Sequence, residues 1–271
     1  MAGYSFIKAL ERTMTEIYFL GTGGWIATRE RDNTSLLLHQ NKKLILIDCP
    51  GSVIQKIKKI DLNPEDIISV MITHVHPDHI YGLPSLVHSL MLVESTIDLY
   101  GKEESIHFCQ NLLDLFHLRE EKIKCRINFI PLRSGQDFHL LPSLSGSCLD
   151  VPHHPSSLAF SFEFKDLNKS LLFSGDTPVH PEIFKEARDI DCLVHECSAS
   201  KRYFDLYPIL YDIHTCAYDL GRLSQESGVK SLIPCHIFGD LEFSESEIEQ
   251  ELLENYKGRL VLLNDLEKII F

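Results

Sequence analysis

Thr73-His-Val-His-Pro-Asp-His79 places three histidines and an aspartate within six residues, directly after an apolar run that begins at Ile67. The run reads as a buried strand over 67–73. Side chains alternate along an extended strand end, so His74 and His76 are expected to project to one side. Pro77 then breaks the strand and lets Asp78 and His79 turn back across the same cavity. Neighbouring imidazoles repel when protonated and lose hydration when buried, so such a cluster is costly unless it holds something. Neutral imidazole and carboxylate are good ligands for zinc and similar ions. A metal site is therefore expected, and a solvated loop that happens to be histidine-rich is the alternative.

The flanking sequence supplies a frame for this cluster. Upstream, Thr15-Glu-Ile-Tyr-Phe-Leu20 reads as a strand running into Gly21-Thr-Gly-Gly24, a turn whose glycines permit positive φ and close backbone approach. Strands are expected over 35–39 and 43–47, joined through the polar turn Gln40-Asn41-Lys42. A helix is expected over 52–60, with Val53, Ile54, Ile57 and Ile60 at helical spacing. Downstream, helices are expected over 80–93 and 105–116, with strands near 97–100, 126–130, 137–140, 148–151, 159–164 and 170–174. The last third alternates helix (181–188, 214–227, 245–256) with strand (192–195, 231–234, 259–263). Strands crowd the middle and helices flank them, which fits an α/β protein built as a four-layer αββα sandwich. No repeat or Gly/Ser linker marks a boundary. Residues 14–271 are expected to form a single domain, preceded by an extension over 1–13.

Composition narrows the partners. The 271 residues carry 26 Lys+Arg against 39 Asp+Glu, a formal net charge of −13, which is unlike a surface built to displace counterions from nucleic-acid phosphates. Two short basic runs, Lys56–Lys59 and Lys122–Arg126, could form local patches; a solvated helix surface is the plainer reading. With 44% hydrophobic and 24% charged residues the chain is neither disordered nor fibrous. It contains no stretch near the roughly 20 apolar residues of a membrane helix, and no membrane association is expected. Its eight cysteines form no CxxC pair and are scattered through apolar stretches, so buried, reduced thiols and a cytoplasmic location are expected.

HxHxDH after a strand resembles the signature of the metallo-β-lactamase superfamily. Leu20-Gly-Thr-Gly-Gly24, Asp48-Cys49 and Gly82-Leu83-Pro84 resemble the ribonuclease Z group within it. So do Val151-Pro-His-His-Pro-Ser-Ser-Leu-Ala-Phe160, Phe173-Ser-Gly-Asp-Thr177, His195-Glu-Cys-Ser198, Ile213-His-Thr215 and Pro234-Cys-His-Ile237. The ordered set spans about residues 15–240. The resemblance implies the metallo-β-lactamase fold and two divalent ions. His74, His76 and His153 would hold one, Asp78, His79 and His236 the other, and Asp176 would bridge them. Mixed nitrogen and oxygen ligands favour zinc, with manganese or iron as alternatives. His153 is preferred to His154 because six positions on it reaches Ala159 before Phe160, where the family pattern has glycine before an aromatic residue. Asp48 would orient the imidazoles from behind, or else cap the next turn.

By the same resemblance the chemistry is hydrolysis by a hydroxide shared between the ions. Asp78, Glu196 and His214 are the catalytic candidates, the Glu196/His214 pair serving as general acid, whereas His195 is expected to face away and be structural. The pair favours a phosphodiesterase. A lactonase or thioesterase on the same ions, or a non-enzymatic metal- or ligand-binding protein, are the alternatives. Ribonuclease Z enzymes that cut precursor tRNA carry a basic arm between the third histidine motif and the bridging aspartate. Here only residues 154–175 lie between His153 and Asp176, so precursor tRNA is a poor fit. A small phosphodiester or nucleotide-like substrate is expected. Dimers are common in this branch, which makes a homodimer a candidate assembly.

Overall fold

A computed structural model describes residues 14–239, 241 and 243–271; the extension expected over 1–13 lies outside them. The first half of the chain runs β1 (Thr15–Gly21), β2 (Ser35–Gln40), β3 (Lys43–Ile47), α1 (Val53–Lys59), β4 (Ile67–Met71), α2 (Pro77–Ile80), α3 (Leu83–Ser89), β5 (Thr96–Lys102), α4 (Glu103–Leu115) and β6 (Arg126–Leu132). The second half runs β7 (Asp137–Leu141), β8 (Leu144–Asp150), β9 (Leu158–Phe164), β10 (Lys169–Phe173), α5 (Pro181–Ala187), β11 (Cys192–Glu196), α6 (Lys201–Leu206), α7 (Ala217–Ser227), β12 (Ser231–Cys235), α8 (Glu245–Asn255), β13 (Arg259–Leu260) and β14 (Lys268–Ile270). They build two sheets, ordered β14-β1-β2-β3-β4-β5-β6 and β13-β12-β11-β10-β9-β8-β7.

Three apolar layers hold this arrangement together. Between the sheets, β9 contributes Phe160, Phe162 and Phe164, all at 0% exposure, while Ser161 and Glu163 face outward. This period-2 pattern makes one face of the strand core and the other polar. Phe162 meets Phe138 at 5.8 Å and Phe160 at 6.4 Å between ring centroids. A second layer packs α1, α3 and α4 on the first sheet through Ile57, Leu86 and Leu113. A third packs α5, α7 and α8 on the second sheet through Ile183, Leu220 and Leu252. Helices therefore cover both outer faces, and the expected four-layer αββα sandwich is the observed fold.

Several local expectations need correction. The helix expected over 80–93 is the shorter α3; α2 ends at Ile80, and the Gly82 N–H leaves the helical ladder to donate to the Cys49 carbonyl oxygen at 2.9 Å, an approach so close that a Cβ on Gly82 would lie 1.8 Å from the Pro50 carbonyl oxygen. The glycines of Gly21-Thr-Gly-Gly24 are not used for positive φ, which among glycines occurs at Gly135, Gly175 and Gly228. They serve close approach instead; a Cβ on Gly24 would sit 2.5 Å from the Phe238 ring. The basic run at Lys56–Lys59 is no patch, since Lys56 turns inward to pair with Asp32 and Asp265 at 3.1 Å each. In the other run Lys122 pairs with Glu120 and Lys124 with Glu94. All eight cysteines are free and buried. Among the described residues no helix is long and apolar enough to cross a membrane.

Candidate metal centre and active site

β3, β4 and β5 run parallel in one sheet, as do β10, β11 and β12 in the other. The candidate site residues leave the carboxyl ends of these strands, where the backbone stops pairing and side chains can turn into a shared crevice. Asp48 follows β3 and His236 follows β12, both at positive φ (58° and 55°). Such a conformation is uncommon for non-glycine residues, though Asp and His adopt it more readily than most. It swings each side chain off its strand. Asp176 lies beyond β10, Glu196 ends β11, and His153 sits in the turn after β8.

The histidine cluster is not on an extended strand, as its sequence suggested. β4 stops at Met71, and beyond it the Thr73 N–H donates to Asp48 Oδ1 at 2.7 Å rather than to a neighbouring strand. The Thr73 hydroxyl and His79 Nδ1 both reach Asp48 Oδ2 at 2.8 Å. A buried carboxylate thus gathers the loop. Pro77 then opens α2 at its first helical position, where its missing N–H costs nothing. His74 and His76 do converge, with Nε2 of one 2.9 Å from Nδ1 of the other, His76 keeping an extended backbone as the residue that precedes α2.

Two donor groups result, each with its ligand atoms within 4.8 Å of one another: His74, His76 and His153, and Asp78, His79, Asp176 and His236. All seven residues named from the sequence are therefore brought into one hollow. Asp176 Oδ2 stands between the groups, 3.9 Å from His74 Nε2 and 3.8 Å from His153 Nε2 on one side. On the other it is 3.3 Å from His79 Nε2 and 3.1 Å from His236 Nε2. His153 Nε2 lies 3.1 Å from His76 Nδ1, whereas the His154 ring turns aside to bond the Ser156 hydroxyl at 2.7 Å.

This arrangement fits divalent metal. The Nε2 atoms of His79 and His236 are buried, make no well-aligned hydrogen bond, and face only the Asp78 and Asp176 carboxylates at 3.1–3.5 Å, the mixed nitrogen and oxygen donor set a divalent ion takes. Burial and the neighbouring imidazoles hold His74 well below the usual histidine value, and burial with His153 holds His76 at about 4. Burial likewise lowers His153. These three rings are neutral and available as ligands. Burial opposes charge on Asp176, but His236 and His79 outweigh it and keep the carboxylate ionised.

Beside the donors stands the pair Glu196 and His214. His214 Nδ1 lies 2.9 Å from Glu196 Oε1, and its ring centroid is 5.0 Å from that of His153 and 5.3 Å from that of His236. Glu196 is held by the Thr177 N–H at 2.6 Å, the Ser198 hydroxyl at 2.7 Å and the Thr215 N–H at 3.2 Å. Burial favours neutral His214, but the Glu196 carboxylate outweighs it and raises the imidazole above its ordinary value. His195 turns the other way, stacks on Phe184 and bonds the Glu196 carbonyl oxygen at 2.7 Å.

The donors and His214 open into a cavity of about 690 Å³. Its outer wall was not foreseen from sequence and includes Trp25, Tyr207, Ile209, Leu210 and Phe238. The signal available was a tryptophan immediately after two glycines; its exposure depends on packing between segments over two hundred residues apart.

Comparison with known proteins agrees with this architecture. A family model described as "Anti-Pycsar protein Apyc1" matches residues 15–236. Ribonuclease Z of Methanosarcina acetivorans is 22% identical, the match covering 83% of this chain and 88% of that protein. The metallo-β-lactamase fold protein YhfI from Bacillus subtilis superposes with a TM-score of 0.80 at 16% identity, covering 96% of this chain and 100% of that one. The short form of human tRNase Z gives 0.74 at 20% identity, covering 94% and 98%.

Proposed function

This chain belongs to the anti-Pycsar protein Apyc1 family and is a ribonuclease Z-like metallo-β-lactamase-fold hydrolase, and from that premise we propose that it is a dinuclear metal phosphodiesterase acting on a small cyclic or short nucleotide. His74, His76 and His153 would hold one ion, Asp78, His79 and His236 the other, with Asp176 between them. Two divalent ions so placed would lower the pKa of a water and neutralise charge developing on the phosphoryl oxygens.

The Glu196–His214 contact carries the choice of a phosphodiester. An alkoxide leaves a phosphodiester poorly without a proton, and an imidazole backed by a carboxylate is suited to give one. With Nδ1–H donating to Glu196 Oε1, His214 keeps Nε2–H for the leaving oxygen. Glu196 fixes the ring and favours its protonated form, and the donors from Thr177, Ser198 and Thr215 fix Glu196.

Substrate size follows from what surrounds the site. β9 and β10 are joined by a single 3₁₀ turn over Lys165–Leu167, so no arm projects between His153 and Asp176 to grip a long RNA. No lysine or arginine lines the cavity among the described residues, which suits one phosphodiester and not a polyanion. The test is turnover by the metal-loaded protein of a 3′,5′-cyclic nucleotide and bis(p-nitrophenyl) phosphate, beside a lactone and a thioester. Phosphodiester cleavage is expected, and His214→Ala should slow the cyclic nucleotide by about 10²- to 10⁴-fold. Cleavage of the lactone or thioester alone, indifferent to His214→Ala, would replace this reading with a carbon-ester hydrolase.

A further inference from the structure

The cavity above the metal centre has an aromatic wall that the reaction itself does not require. Trp25 is 59% exposed, a large apolar ring left at the mouth of the site. The residue before it is nevertheless anchored. The preceding Gly24 donates its N–H to the Ile237 carbonyl oxygen at 2.8 Å, and its own carbonyl accepts from Asn33 Nδ2 at 2.7 Å. Phe238, almost fully buried, supports the indole edge-on with centroids 6.4 Å apart and planes at 61°. Gly24 is required for this contact, since any side chain there would strike the Phe238 ring. The ring is thus exposed while its mounting is rigid, the form of a preorganised binding surface rather than of a loop tip. The remaining wall contributes Tyr207 and Ile209, and among the described residues no lysine or arginine.

Resting on the phosphodiesterase reading, we infer that Trp25 is a stacking platform for a planar base carried by the substrate. The phosphodiester and the base then occupy separate subsites: the first is handled by the donor cluster and His214, the second by the indole face. Every nucleobase has a π-face, so stacking selects for the presence of a base and tolerates its identity. Stacking of a base on an aromatic side chain corresponds to about five- to hundred-fold in affinity.

Trp25 is the one tryptophan in the sequence, so tryptophan emission from the protein reports on this ring alone. The metal-loaded protein is titrated with adenosine 5′-monophosphate and with ribose 5-phosphate, following emission and, by calorimetry, affinity. Saturable quenching by the nucleotide is expected, together with at least five-fold tighter binding than the base-free sugar phosphate. Trp25→Ala should lose at least five-fold in affinity for the nucleotide and less than two-fold for ribose 5-phosphate, and Trp25→Phe should recover most of the loss. Equal affinity for the two probes, absence of saturable quenching, or undiminished nucleotide binding by Trp25→Ala would overturn the inference. All of these are binding measurements. A protein that bound as expected but cleaved no phosphodiester would sink the functional reading and leave the stacking subsite standing.

Discussion

Replacing Asp48 with asparagine isolates what a buried carboxylate contributes to the metal-facing His79 from behind, without being a metal ligand itself. Asp48 is fully buried, and its two oxygens take three contacts: the Thr73 N–H at 2.7 Å on Oδ1, and the Thr73 hydroxyl and His79 Nδ1 at 2.8 Å on Oδ2. Asparagine keeps the shape, and its carbonyl can still accept from the Thr73 N–H. The amide nitrogen then takes the place of Oδ2 and offers a donor to His79 Nδ1. To avoid two donors facing each other, His79 must move its proton to Nε2, the nitrogen that faces Asp176 and Asp78. That removes one ligand from the second donor group. Loss of a carboxylate behind a ligating histidine typically costs 10- to 100-fold in metal affinity. The corresponding 1.4–2.7 kcal/mol, roughly, matches the ~1.5–3 kcal/mol of a hydrogen bond to a charged group. Competition against a chromophoric chelator resolves the two ions. One is expected to weaken by that factor and the other to change less than about three-fold. A folded Asp48→Asn protein that binds both ions within two-fold of wild type would refute the role assigned to Asp48.

Two further outcomes follow from the packing and from the donor set. Phe162→Ala empties a fully buried site between Phe138 and Phe160 and should cost about 3–5 kcal/mol, read as a lower urea midpoint; a loss below about 1 kcal/mol would mean the inter-sheet layer can collapse around the gap. Asp176→Ala should lose or uncouple the metals in a chelator titration, whereas His107→Ala, on α4 in the outer helical layer, should leave metal content unchanged.

The donor cluster was legible because most of it is local: four of seven donors fall within His74–His79, and the spacing around Pro77 is visible in the chain. The two-sheet core was legible for the same reason, since Phe160, Phe162 and Phe164 alternate with outward-facing residues. Local pattern places Asp48 behind the imidazoles, as its contact with His79 bears out, but not its hold on Thr73, which shapes the loop. Asp48 sits 25 residues from Thr73, and only the parallel pairing of β3 with β4 brings the two together. β14, unforeseen in the sequence, is three residues long, too short to show alternation, and exists because β1 pairs with it across Glu16 and Ile270. α6 is six residues long, begun by the Ser200 cap, and too brief for helical periodicity to emerge. Trp25 carries no local signal, because its exposure at the cavity mouth is a property of the assembled walls, not of the segment that bears it.

Anomalous diffraction from crystals of the wild-type protein, with metal content measured on the same preparation, decides whether two ions sit in this hollow. Two peaks per chain are expected, one among His74, His76 and His153 and one among Asp78, His79 and His236, with Asp176 between them. A single peak, or none with those side chains bonded only to one another, would contradict a two-ion centre.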